Sequence, residues 1–241
     1  MKNKRLFWSC CILFFVHLNS YAQLTEGRIV YERKTNLYKK FKDDNVKDWI
    51  KELDKIKVDS LELFFNDSIS LYQPIESGLK ESYYWATSKN VIYQNFNTLE
   101  RFSIKKIWGE EVQIADSVQT RKWKITDSKR TICGYNCRKA VWQPNDSTRI
   151  YAWYSDEIIP SVGPETFIGL PGAILGLAAE DGSVIYFAKS VAPFNLQPTT
   201  LTPKKGKGKI YTSTELKVKL EKEFGKEKWG KAMIKNVFGY W

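Results

Sequence analysis

Residues 163–177, GPETFIGLPGAILGL, decide how this chain folds. They hold four glycines, two prolines and the unbroken apolar run Ala173-Ile174-Leu175-Gly176-Leu177. Pro171 fixes φ at about −65° and Gly172 accepts φ > 0, so Leu170-Pro171-Gly172-Ala173 predicts a type II turn. The run that follows has no polar side chain and predicts a strand buried on both faces. A tight turn feeding a buried strand marks a place in a core. It specifies no chemistry.

Short strand patterns surround this stretch. Residues 173–179 and 184–191 pair across Asp181-Gly182, a strong hairpin signal. Residues 132–142 and 148–154 pair across Pro144-Asn145-Asp146. Upstream, strands are predicted at 27–36, 61–65, 91–95, 98–107, 111–115 and 121–126, with a loop at 79–90. Leu61, Leu63 and Phe65 point one way, and after Asn66-Asp67 the same face is expected for Ile69 and Leu71. Val46, Trp49, Ile50 and Leu53 recur at helical spacing and predict an amphipathic helix over 43–56. Beyond Pro203 the composition shifts to lysine and helix formers. Thr212-x-x-Glu215 is a capping box for a helix to Phe224, with Leu216, Leu220 and Phe224 on one face. A second helical stretch aligns Trp229, Met233 and Val237. The expected fold is mainly antiparallel β (α+β): a strongly curved sheet or half-barrel, with the 43–56 helix on its concave side or mouth. A closed barrel or a sandwich is the alternative. Residues 23–200 form one β-rich domain, and 201–241 a lysine-rich linker and helical arm.

Lys2, Lys4 and Arg5 precede an apolar run over 6–18 and a small residue, Ala22, which is the pattern of a cleaved signal peptide. The run falls short of the roughly 20 residues a membrane span needs. The expected location is the periplasm or the outer-membrane or cell surface. Removing residues 1–22 removes three cations and no acid, so the formal net charge falls from +11 to +8. That balance suits a solvated surface, or affinity for an anionic membrane or polysaccharide. No nucleic-acid partner is expected of an exported chain. The single histidine, His17, leaves with the leader. The remaining chain has no imidazole for a Ser/His or Cys/His couple or for a metal site, which removes most hydrolase mechanisms.

Cys133 and Cys137 are the only cysteines after residue 22, and in an exported chain they predict a disulfide across the Gly134-Tyr135-Asn136 kink. A redox pair would more usually be C-x-x-C before a helix, and a soft-metal site would need ligands that are not supplied. No cofactor motif is present. Asp156, Glu157 and Glu165 are candidates for paired acid–base carboxylates, although the first two begin a turn and Glu165 after Pro164 suits the first turn of a short helix. Ser161 has no base partner. The abundant aromatics, including Tyr151, Trp153 and Tyr154 on one strand, suit a β core and its rim. A concave, aromatic-lined sheet could equally hold a lipid, peptide or glycan. Period-2 alternation puts Tyr151 and Trp153 on one face, and these two are the ligand-binding candidates.

Thr131-Ile132-Cys133-Gly134-Tyr135-Asn136-Cys137, then Tyr151-Ala152-Trp153-Tyr154, then Gly163-Pro164-x-x-Phe167-x-Gly169-Leu170-Pro171-Gly172 together resemble the GLPGLI family of secreted Bacteroidetes-type proteins of unassigned function. Ala173-Ile174 stands where that family's name motif has Leu-Ile. The resemblance implies a mature domain starting near Gly27-Arg28-Ile29-Val30-Tyr31, and an accessory role beside an outer-membrane receptor or transport system. It carries no catalytic residue. At the level of fold alone, the kinked strand at Gly134 followed by 151–154 resembles the curved sheet of LolA-type lipoprotein carriers. Two functions follow as expectations. One is a non-catalytic exported binding or accessory protein, with peripheral membrane contact. The other is a histidine-free hydrolase that uses carboxylates on a glycan or peptide.

Overall fold

Twelve strands form one sheet in the order β12-β6-β5-β4-β3-β2-β1-β11-β10-β9-β8-β7. The structure is a computed structural model describing residues 23–41, 47, 50, 55–76, 84–107, 109–197, 201, 206 and 208–240. The leader at 1–22 and most of the expected 43–56 helix lie outside the described residues. Lys47 and Ile50 are helical, and Ile50 is buried against Leu37 and Ala86. The strands are β1 (Gly27–Asn36), β2 (Ile56–Phe65), β3 (Ile69–Pro74), β4 (Val91–Asn95), β5 (Glu100–Ile107) and β6 (Glu110–Ser117). They continue with β7 (Lys124–Ile132), β8 (Tyr135–Asn145), β9 (Thr148–Ser155), β10 (Ala173–Ala179), β11 (Val184–Ala192) and β12 (Ile210–Tyr211). The α-helices whose bounds lie within the described residues are α1 (Leu37–Lys40), α2 (Ser213–Phe224) and α3 (Lys228–Val237). All pairings are antiparallel except β12 with β6.

Two meanders, β1–β6 and β7–β11, meet where β1 pairs with β11. On β1 every second residue from Gly27 to Thr35 is buried, the alternation expected of a strand with one face on a core. β10 is buried at six of its seven positions, as its apolar run predicts. The sheet is open and strongly curled. Lys105 on β5 donates to the Val237 carbonyl at 2.5 Å, and three residues later the Tyr240 ring meets Trp142 of β8 at 5.0 Å. Eight strand spacings separate β5 from β8, roughly 38 Å in a flat sheet, whereas three extended residues reach only about 11 Å.

The segment between β9 and β10 fills the inner face. Ile158, Val162, Phe167, Leu170 and Ala173 join one cluster with Ile29, Tyr31, Leu61, Leu63 and Tyr154. Gly163, Pro164 and Phe167 are buried, and Gly169 and Pro171 are exposed. Leu170-Pro171-Gly172-Ala173 does not close as a type II turn. The Gly172 amide donates to Leu170 at 2.8 Å in a tighter three-residue turn, and Ala173 donates to Ile158 instead.

The outer face has its own cover. Phe64, Leu71 and Leu201 form a second cluster with Ile69, Tyr93 and Leu196. Ile69 and Leu71 therefore share a face with Phe64, not with Leu63 as the sequence suggested. The Phe64↔Leu71 register explains this, because a two-residue turn at Asp67-Ser68 pairs positions of opposite parity. At the far edge the Thr212/Glu215 capping box is formed, and Leu216, Leu220 and Ile234 of α2 and α3 pack on Ile107 and Ile114 of β5 and β6.

Gly172 has φ of 133°, and a Cβ there would lie 2.0 Å from the Ser155 carbonyl oxygen. Gly134 has φ of 85° with nothing within 4 Å of a built Cβ. Gly172→Ala is expected to cost about 3 kcal/mol or more in urea unfolding, against about 1 kcal/mol for Gly134→Ala, where only backbone preference is lost. Equal losses for the two would show that Gly172 is not clamped against β9.

Candidate functional site

Arg33 points into the core from β1 and is 2% exposed. Its cross-strand neighbours are Asp59 on β2 and Tyr186 on β11. The guanidinium donates twice to Asp59 Oδ2, at 2.8 and 3.1 Å, and Lys57 bonds the other carboxylate oxygen. A second carboxylate comes from the turn between β9 and β10. Glu165 Oε1 lies 3.6 Å from Arg33 Nη1 and accepts from the hydroxyls of Tyr186 (3.1 Å) and Tyr72 (3.4 Å). Its Oε2 accepts from Asn90 Nδ2 at 2.9 Å. Glu165 is 2% exposed and has φ of 56°, in the left-handed region that costs a residue with a Cβ about 1–2 kcal/mol. The Phe167 amide donates to Pro164, so Glu165 sits in a β-turn, not in the first turn of a helix.

Burial alone would lower the pKa of Arg33, but Tyr186, Tyr72, Asp59 and Glu165 raise it above its ordinary value. Burial, with Glu165 beside them, pushes the hydroxyls of Tyr72 and Tyr186 upward, so both stay protonated donors. Burial would also raise Asp59, but the Arg33 charge and the bonds from Lys57 and Arg33 hold it below 3.8. Burial, with the Arg33 charge nearby, lowers Lys40 to about 8.

Beyond Glu165 the inner face opens into a polar cavity of about 160 Å³. Its walls include Asn90, Arg101, Ser103, Lys105, Arg121 and Glu165, and Phe238-Gly239-Tyr240 close one side. Three cations thus face one carboxylate. Arg101 is paired with Asp116 at 2.9 Å. Lys105 and Arg121 have no carboxylate partner among the described residues. Lys105 donates to the Val237 carbonyl, and Arg121 donates to the Thr166 carbonyl and to its hydroxyl at 2.8 Å. The Arg121 guanidinium also lies 4.1 Å from the Phe167 ring centroid. Burial lowers the pKa of Lys105, and burial with the Arg101 charge lowers Arg121 to about 10. Cations depressed in this way favour an incoming anion, which relieves both the desolvation and the mutual repulsion.

Tyr151 and Trp153 share one face, as expected, but it is the outer one. Ala152 and Tyr154 are the residues buried on the inner side. Lys139 lies 4.0 Å from the Tyr151 ring, Arg130 lies 5.1 Å from Trp153, and the Tyr151 hydroxyl donates to Glu180 at 2.7 Å. The three candidate carboxylates are kept apart by their partners. Glu157 accepts from the Asn136 amide, Asp156 is exposed, and Glu165 belongs to the Arg33 network. Ser161 accepts from the Gly169 amide. The expected Cys133–Cys137 disulfide is absent, and both thiols are free. Cys133-Gly134 is the two-residue turn of the β7–β8 hairpin, where the Cys133 thiol donates to Ala188, whereas Cys137 points into the core. No group of three or more potential metal ligands occurs among the described residues.

Residues 142–176 match a family model described as "Protein of unknown function (Porph_ging)". That stretch runs from the end of β8 through β9 and the inner segment into β10, and includes Glu165. No curated protein matches the chain by sequence. Among solved structures, PNGF-II in a C2 crystal form is similar at 21% identity and a TM-score of 0.52, over 78% of this chain and 30% of that one. PNGF-II in a P21 form gives 20% identity and 0.52, over 78% and 31%. An uncharacterized conserved protein from Thermus thermophilus gives 6% identity and 0.41, over 80% and 92%. The chain spans about a third of the PNGF-II chains, and the likeness to them is one of fold.

Asp59→Asn leaves the Arg33 charge short of its closest counter-ion and is expected to cost roughly 3–5 kcal/mol at neutral pH. Because the folded pKa of Asp59 lies below 3.8, its contribution is complete above that value and is lost as pH falls through the lower folded value. The acid limb of unfolding free energy should therefore flatten in Asp59→Asn, and an unchanged limb would place the acid sensitivity elsewhere. In the native protein, alkylation should label Cys133 without prior reduction. Cys137, buried and pushed up to about 12, should react only on unfolding.

Proposed function

We propose that this is an exported, non-catalytic binding protein of the GLPGLI kind, which captures a small anionic ligand in the cavity on the inner face of its sheet. The observation that carries this is the imbalance of the lining: Arg101, Lys105 and Arg121 against the single carboxylate of Glu165. Glu165 is itself engaged by Arg33, Asn90, Tyr72 and Tyr186, which suits a wall better than a proton shuttle. A volume of 160 Å³ is the share of about five waters, enough for a carboxylate- or phosphate-bearing group. The basic, apolar leader supports export, and the resemblance to the GLPGLI family suggests a place beside an outer-membrane receptor or transport system.

Affinity should hold through neutral pH and fall in the alkaline range, where Lys105, its pKa lowered by burial, loses its charge. Calorimetric titration of the purified protein with phosphate, sulfate and short carboxylates tests the reading, with product analysis after prolonged incubation. Lys105→Met and Arg121→Met should each weaken capture about tenfold or more, the worth of a hydrogen bond to a charged group. Trp153→Ala, on the outer face, should leave it intact. Undiminished binding in both cavity variants, or multiple-turnover product formation, would overturn it.

A further inference from the structure

The arm at 201–241 carries a second surface, which shares only Phe238 with the wall of the cavity. It contains eleven lysines and four glutamates, a formal +7, so residues 23–200 supply only +1 of the +8 left after the leader. α2 and α3 direct Leu216, Leu220 and Ile234 toward the sheet. Between them lies an open groove of about 720 Å³. Ile234 and Phe238 line it together with Lys217, Lys226, Lys231 and Lys235. Its one acid, Glu221, is already paired with Lys217 at 3.9 Å. Lys226, Lys231 and Lys235 have no ion pair among the described residues. Trp229, 53% exposed, stands beside Phe224 near the turn between α2 and α3, and Val218 on α2 is 60% exposed.

We propose that this face docks the protein on an anionic phospholipid surface. The Lys226, Lys231 and Lys235 ammonium groups would lie on lipid phosphates, and the exposed Val218 and Trp229 side chains would enter the interface. Charge complementarity selects an anion. The exposed Val218 and the exposed indole of Trp229 select a membrane over a free acidic polymer, since Trp and snorkelling Lys are the side chains that settle at headgroup depth. No described helix is long and apolar enough to cross a membrane, so contact through this arm is contact from one side.

Flotation of the purified protein with vesicles tests the assignment. Vesicles containing phosphatidylglycerol should carry the protein up, phosphatidylcholine alone should not, and added salt should release it. With about fivefold in affinity per lysine near such a surface, Lys226→Glu/Lys231→Glu/Lys235→Glu should reduce binding by ~100-fold or more. Reversing Lys122, Lys124 and Lys129, exposed near or on β7, should change it little. Circular dichroism melts confirm that both sets are folded. Trp229 emission should shift to shorter wavelength on binding, which a bulk charge effect would not produce. Equal flotation with phosphatidylcholine alone, equal loss in both variant sets, or retention on an acidic polymer or on inorganic phosphate without vesicle binding would each overturn the proposal.

Discussion

A guanidinium held at 2% exposure on a strand at the junction of two meanders is the constraint from which the rest of the structure follows. An ion that deeply buried is tolerable only with close counter-charge and filled hydrogen bonds. Asp59 comes from the neighbouring strand on one side and Tyr186 from the strand on the other, both in direct register with Arg33. Glu165 has to arrive from above the sheet. The segment between β9 and β10 must therefore cross the inner face, turn sharply after Pro164, and hold a glutamate in left-handed backbone. Its apolar residues form the core cluster on the way, and the cavity is the space left between that turn and β4–β6.

The strand ladder was largely legible in the sequence because alternation and turn chemistry are local. β1, β4 and β10 begin and end where the residues say, and the capping box at Thr212 fixes the start of α2. The misreadings were of facing and pairing. Ile69 and Leu71 fall on the face opposite to Leu63 because a two-residue turn pairs positions of opposite parity. Cys133 and Cys137 invited a disulfide by compartment reasoning, but a hairpin tip and a core position two residues into the next strand do not bring the thiols together.

The candidate site was legible only in fragments. Glu165 is a visible candidate in the sequence, yet its partners Arg33, Tyr72 and Asn90 lie up to 132 residues away in the chain and share no motif. Arg33 in an otherwise alternating strand was the available signal: it occupies an inward position between Tyr31 and Thr35, where an apolar residue is expected. Arg101, Lys105 and Arg121 looked like three more surface cations in a basic chain. They become a cavity wall only because the sheet curls, and curl is a property of twelve strands together.

The junction of β1 with β11 has a meaning for how the chain orders itself. Every other neighbour in the antiparallel ladder closes through a connection far shorter than the span from β1 to β11, and Arg33 and Tyr186 are 153 residues apart. Closing a loop of that length costs about 3 kcal/mol more chain entropy than a four-residue hairpin. The two halves can each zip up by local pairing, but nothing local joins them. The contacts that offset the cost of joining are those at the seam, and the most directional of them is the buried ion cluster. Arg33 binds Asp59 within its own half and meets Tyr186 and Glu165 from the other, so one side chain fastens two locally paired pieces of sheet.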